Sequence, residues 1–277
     1  MTGAFGTLMV VLLQAAVGGA VWLWVTGVRH AARGGFILLS GVSLAVIAWV
    51  TWVLARAAIA DAEAAAGQAS PDPSVTAAAG AAGQRLLWAL LVFAVLLTLW
   101  QVLVGVFDDR HRLTQALGVA GALAGLASLG FAAAARGTAV LLGVLELVAG
   151  STFVGAALYG LLLGHWYLFQ RRLDPIHMLH GAKAYAAGVV AGLAGLGLSS
   201  LNPPPEITTA ASPLLTIPGF SVWLGAGLLG ICALIAPFVW KLATEGGRSI
   251  QAATGYFYLA LIMSLSAELA SKFRFFH

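Results

Sequence analysis

The sequence predicts an all-α, polytopic integral membrane protein with about eight transmembrane helices. Three observations carry that prediction. Hydrophobic residues make up 61% of the chain and charged residues only 9%, whereas soluble domains carry about 25% charge. The mean hydropathy is +0.96, so a chain of 277 residues has too little polar surface to cover itself in water. The apolar residues also fall in runs of about 20, long enough for helices that cross a bilayer and unlike the short, alternating strands of a barrel.

Taken in order, the spanning runs lie at roughly 4–27, 35–57, 86–107, 114–135, 138–166, 178–200, 219–241 and 250–273. The N-terminus lacks the positive stretch of a cleaved secretory signal, so the first run is read as a retained helix. The chain is read as a single transmembrane helical domain, 1–277, with two extramembrane loops. One covers about 58–85, rich in Ala and Gly, and is expected to be mobile or partly helical. The other covers about 202–218, where Pro203-Pro204-Pro205 forbids a helix.

Lys and Arg set the orientation. Arg29, Arg33, Arg110, Arg112, Arg171, Arg172, Lys183, Lys241 and Arg248 fall in or beside the odd-numbered connections. The remaining five of the 14 basic residues, Arg56, Arg85, Arg136, Lys272 and Arg274, lie on the other side. The positive-inside bias then places both termini on the non-cytoplasmic side of what is read as a bacterial inner (cytoplasmic) membrane. Basic residues in short clusters between apolar runs orient helices and do not form a nucleic-acid surface. The expected partners are therefore the lipid bilayer and other membrane or redox subunits. Cys232 is the only cysteine, which excludes an internal disulfide and a Cys-based metal site.

Small residues recur at helical spacing in three runs. Gly143, Glu146, Gly150, Phe153, Ala157, Gly160 and Gly164 share a face of the fifth run. Gly118, Gly121, Gly125, Ser128 and Ala132 share one in the fourth, and Gly181, Ala184, Gly188, Gly192 and Gly195 one in the sixth. Such stripes let helix backbones approach closely where no hydrophobic effect drives association. Helices 4, 5 and 6 are therefore expected at the centre. The Trp-rich helices 1, 2 and 3 (Trp22, Trp24, Trp49, Trp52, Trp88, Trp100) are expected to face lipid or neighbouring subunits. Eight helices could also be four plus four, although no motif repeats between the halves.

Chemistry concentrates between Thr138 and Val190. Glu146 lies on the small-residue face, about ten residues or 15 Å of helix from Arg136, and is placed near mid-membrane. A carboxyl group there must be paired, hydrated or protonated, and it is a functional candidate by default. Glu268 is one turn from Lys272, the spacing of an interfacial i,i+4 pair. Gln14 and Gln101 are expected to form interhelical hydrogen bonds. Five of the six histidines, all but His277, fall at the predicted cytoplasmic end.

His165, Trp166, Tyr167, Asp174 and Tyr185 are the side-chain types that hold quinone headgroups near a membrane face. Glu146, Tyr159 and His165 are strung along one helix as a proton relay would be. Two alternatives use the histidines. Haem b would need an axial pair such as His30 and His165, and a metal ion would need His165, His177 and His180 with a nearby carboxylate. No Ser-His-Asp set, nucleotide loop or Cys pair is present, so no catalytic residue is assigned.

The hydropathy and helix count are similar to those of polytopic quinone-interacting anchor subunits of respiratory oxidoreductases, a likeness of architecture that gives no residue a role. The reading is an integral membrane subunit of an electron-transfer or other energy-converting complex, with a quinone or proton-transfer site at helices 5 and 6. The alternatives are a small transporter or channel using Glu146, and a haem or metal enzyme using the histidine face.

Overall fold

The structure is a computed structural model that describes residues 3–28, 34–69, 73–107, 111–136, 139–170, 173–202 and 219–273. Among them there are no strands, and eight long helices run α1 Gly3–Trp22, α2 Gly34–Ala69, α3 Pro73–Val106, α4 Arg112–Ala134, α5 Val140–Phe169, α6 Ile176–Leu201, α7 Phe220–Glu245 and α8 Ser249–Phe273. All eight are long and apolar enough to cross a membrane. A π-helical turn, Leu23–Val28, prolongs α1.

The 58–85 segment is helical apart from residues 70–72, which are not described. Its alanines are the strongest helix formers, and Pro73 occupies the first turn of α3, where its missing N–H costs nothing. At 36 and 34 residues, α2 and α3 are about 54 and 51 Å long at 1.5 Å per residue. They therefore outreach a hydrocarbon core of about 30 Å and extend as a helical hairpin. Gly83 sits against Ile59 in that hairpin and Gly80 faces Glu63. Of the 202–218 excursion, only Asn202 lies within the described residues.

The principal contacts divide the bundle into two rings of four. Helix α1 packs on α2 and α4, and α3 on α2 and α4. In the second ring α5 packs on α6 and α8, and α7 on α6 and α8. The rings join through α1 and α5, with α1–α8 and α4–α5 as matching side contacts. Exchanging the halves leaves this pattern unchanged. Along the joint the register rises together: Gln14 meets Leu147, Gly18 meets Ser151 and Gly155, and Gly19 meets Leu158. The first helices of the two halves are thus parallel, the relation expected of a parallel internal repeat, and no sequence motif had signalled it.

This arrangement corrects the expected centre. Two thirds of the most apolar window of α1 is buried (67%), with α5 next at 56%, whereas α4 and α6 reach 33% and 39%. The reason is the run Ala15–Ala20, which is small throughout apart from Val17 and lets α1 lie directly on α5, while Trp22 Nε1 donates to the Thr152 carbonyl at 2.9 Å. Trp100 is likewise buried and not a surface tryptophan, whereas Trp88 is exposed. The α5 and α6 stripes do pack as expected: Gly181 meets Leu163, Gly188 Ala156, Gly192 Phe153 and Gly195 Ala149.

Not every glycine makes such a contact. A Cβ on Gly230, within α7, would meet no atom within 4 Å. The Gly230→Ala variant is therefore expected to melt at or above the wild-type temperature, gaining up to about 1 kcal/mol of helix propensity.

Candidate functional site

Two polar centres lie at opposite ends of α5. The first gathers Gln14 of α1, Arg136 from the turn before α5, Glu146 of α5, and Glu268 and Lys272 of α8. Arg136 Nη1 and Nη2 donate to the two Glu146 oxygens at 3.2 and 3.3 Å. Lys272 Nζ lies 2.7 Å from Glu146 Oε1 and 3.0 Å from Glu268 Oε2. Gln14 Nε2 donates to the same Glu268 oxygen at 3.0 Å and to the Leu147 carbonyl at 3.3 Å. Gly150 makes room for this, since a Cβ there would fall 2.1 Å from the Gln14 amide and 2.4 Å from Glu268.

All four charged side chains are buried, and two cations balance two carboxylates. An isolated buried charge costs several kcal/mol, and pairing with hydrogen bonds offsets it. Glu146 is thus a paired carboxylate, not a lone one. Its depth also changes. It lies about 8.5 residues from the middle of the 30-residue α5, or some 13 Å at helical rise, which puts it near the edge of a 30 Å core. Glu268 does pair with Lys272 at i,i+4, but in the interior and shared with Glu146. Gln14 makes the expected interhelical bonds. Gln101 does not: its amide packs on Gly41 of α2, and neither amide atom has a hydrogen-bond partner among the described residues.

The second centre is about 21 residues further along α5, roughly 31 Å at helical rise. Here a cavity of about 860 Å³ opens between the end of α5, the start of α6 and the start of α8. Tyr167, Asp174, Arg248, Gln251 and Thr254 supply its polar wall; Leu168, Leu173 and Ile250 supply apolar wall. The corner is held by Tyr167. Its hydroxyl donates to the Asp174 carbonyl and accepts the Met178 N–H at 3.2 Å, tying α5 to the first turn of α6. The Asp174 carboxylate accepts the Ile176 N–H at 2.9 Å, as a helix cap does. Gly246 and Gly247, with φ of 68° and 57°, make the left-handed turn that brings Arg248 to the cavity, and Gly246 lies against Pro175.

Beside this cavity, α5 and α8 are in close contact because Gly164 faces Thr254 and Gly160 faces Phe257. One turn before Leu168, His165 Nε2 lies 2.5 Å from the hydroxyl of Tyr258, which is one turn beyond Thr254. The rings meet edge to face at 5.2 Å. His165 Nδ1 is 3.2 Å from the Leu161 carbonyl.

The sequence candidates thus divide. Tyr167 and Asp174 line the cavity, and His165 stands beside it. Trp166 turns to the other side of α5, against Gly35 and Phe36 of α2. Tyr159 is buried beside Phe36, and the buried Tyr185 donates to the Cys232 carbonyl at 3.0 Å. Glu146 belongs to the distant ion cluster, so Glu146, Tyr159 and His165 share a helix without forming a continuous polar file. Among the described residues no three of His, Cys, Asp and Glu come together to hold a metal ion. His165, His177 and His180 therefore form no such group: the His165 side chain meets Tyr258 of α8, while the other two lie in the first turns of α6. His30, the proposed second haem ligand, lies outside the described residues.

Sequence reasoning missed Arg248, Gln251, Thr254 and Tyr258. The available signal was spacing, since residues 251, 254 and 258 form an i,i+3,i+7 polar stripe on an apolar helix. Comparison with protein-family models, with curated proteins and with solved structures finds no match to this chain.

Proposed function

We propose that this chain is an integral membrane subunit of an electron-transfer or other energy-converting complex in a bacterial cytoplasmic membrane. In this reading a quinone headgroup enters the cavity at the α5, α6 and α8 ends. The observation that carries it is the cavity itself. Its volume of about 860 Å³ is in the range of small-molecule sites, and it combines Tyr167, Gln251 and Thr254 with apolar walls. The exposed apolar face of α8 nearby (Tyr258, Leu259, Ile262) would accompany an apolar tail into the lipid. In this reading the positive-inside bias of the basic residues sets this end on the cytoplasmic side. Arg248, the one lysine or arginine among the described lining residues, would attract a reduced, anionic headgroup.

The ion cluster is not part of this site. Both Glu146 oxygens are engaged by cations, which argues for a structural role over that of a transported-ion ligand.

Gln251 is exposed and lines the cavity, so a bulky side chain there fills the site without disturbing the core. Titration of decylubiquinone into purified protein by calorimetry is expected to show saturable binding, weakened at least about tenfold in Gln251→Trp, or about 1.4 kcal/mol, with unchanged melting. Equal binding by both proteins would refute the placement. Mild-detergent purification from native membranes tests the subunit reading separately: it predicts stoichiometric co-purification with redox proteins, and a lone protein contradicts it.

A further inference from the structure

The pairing of His165 with Tyr258 carries information about the ligand's oxidation state, on the premise that the neighbouring cavity is a quinone site. A backbone carbonyl only accepts. The contact of His165 Nδ1 with the Leu161 carbonyl at 3.2 Å therefore assigns the proton of the neutral ring to Nδ1, leaving Nε2 as an acceptor. The Tyr258 hydroxyl, 2.5 Å away, must then spend its only proton on Nε2. What it still offers is an oxygen lone pair. Tyr258 is 46% exposed, so the residue can be reached from outside the bundle. Thr254 and Leu168, one turn away on α8 and α5, line the cavity.

We propose that the His165–Tyr258 pair is a hydrogen-bond acceptor for a ligand hydroxyl, and that the site selects the hydroquinone over the quinone. A hydroquinone O–H can donate to the Tyr258 oxygen. A quinone carbonyl brings a second acceptor, and two acceptors facing each other gain nothing and lose water. Leu161 fixes the ring, the ring fixes the direction of the tyrosine proton, and the tyrosine reads the ligand. Arg248 also lines the cavity and only donates, so it can serve an oxygen of either form and does not itself set the preference.

The test is parallel titration of decylubiquinone and of its reduced form, kept under argon, into purified wild-type, Tyr258→Phe and His165→Phe proteins. The wild type is expected to bind the reduced form at least about tenfold more tightly than the oxidised form. Tyr258→Phe, which removes one oxygen from a half-exposed ring, should abolish the preference by weakening only the reduced form. In His165→Phe the tyrosine hydroxyl loses its acceptor and is free to donate outward, so the preference should invert in favour of the oxidised form. Equal wild-type affinity for both forms, or the same ratio in Tyr258→Phe, overturns this inference while leaving the quinone site in place. Failure of the wild type to bind either form overturns the site and the inference together. A merely structural role for the pair would lower both affinities equally and leave the ratio unchanged.

Discussion

Lys272→Met is expected to destabilise the protein by about 3–5 kcal/mol, the cost of removing one partner from a buried ionic group. Lys272 touches both carboxylates, at 2.7 Å from Glu146 and 3.0 Å from Glu268. Without it Arg136 alone faces two negative charges in the interior. The physical claim is about charge balance and not about one contact. The double variant Lys272→Met/Glu268→Gln, which restores one cation to one anion, should therefore recover most of the loss even though it removes a second native side chain. Gln at 268 can still accept from Gln14. Melting in mild detergent reads both effects. If the single variant melts like wild type, or the double variant is the weaker of the two, the cluster is hydrated and its charges are independent.

Gly155→Leu should be at least as damaging, through a different mechanism. A Cβ on Gly155 would fall 2.2 Å from the Gly18 carbonyl carbon and 2.5 Å from its Cα. Those atoms are backbone and cannot rotate away, so α1 and α5 must separate. Because this crossing joins the two four-helix rings, the damage extends beyond local overpacking of about 1–3 kcal/mol. The expectation is loss of folded protein after detergent extraction, judged by gel filtration. A monodisperse, normally melting Gly155→Leu protein would show that the halves are held together elsewhere. Gly230→Ala is the internal control, since that glycine faces open space.

How far these features were legible in the sequence depends on whether they are periodic or spatial. Eight apolar runs identify eight helices, because length and hydropathy are local properties, but α2 and α3 run on to Ala69 and back to Pro73, well past the expected ends at 57 and 86. The stripes of α5 and α6 were legible for the same reason, as Gly188 against Ala156 and Gly195 against Ala149 show. The position of α1 was not. Its tryptophans suggested a lipid face, whereas its Ala and Gly run and the bond from Trp22 to Thr152 make it a central helix.

Glu146 was legible as a buried carboxylate but not as a paired one. Its partners Arg136 and Lys272 are respectively 10 and 126 residues away, and only folding brings the end of α8 to the start of α5. Similarly, Tyr167 and Asp174 could be marked by residue type. The cavity's other polar wall comes from α8, and spacing along α8 does not reveal which helix its stripe will face.

The measurement that tests the central claim most directly is photolabelling of native membranes with an azidoquinone, followed by mass spectrometric mapping of the labelled peptides. The account predicts label on the α5 end around Leu168 and on α8 around Gln251 to Tyr258, displaced by excess decylubiquinone and lost in Gln251→Trp. Label confined to other helices, or label at these positions that excess quinone does not displace, would contradict it.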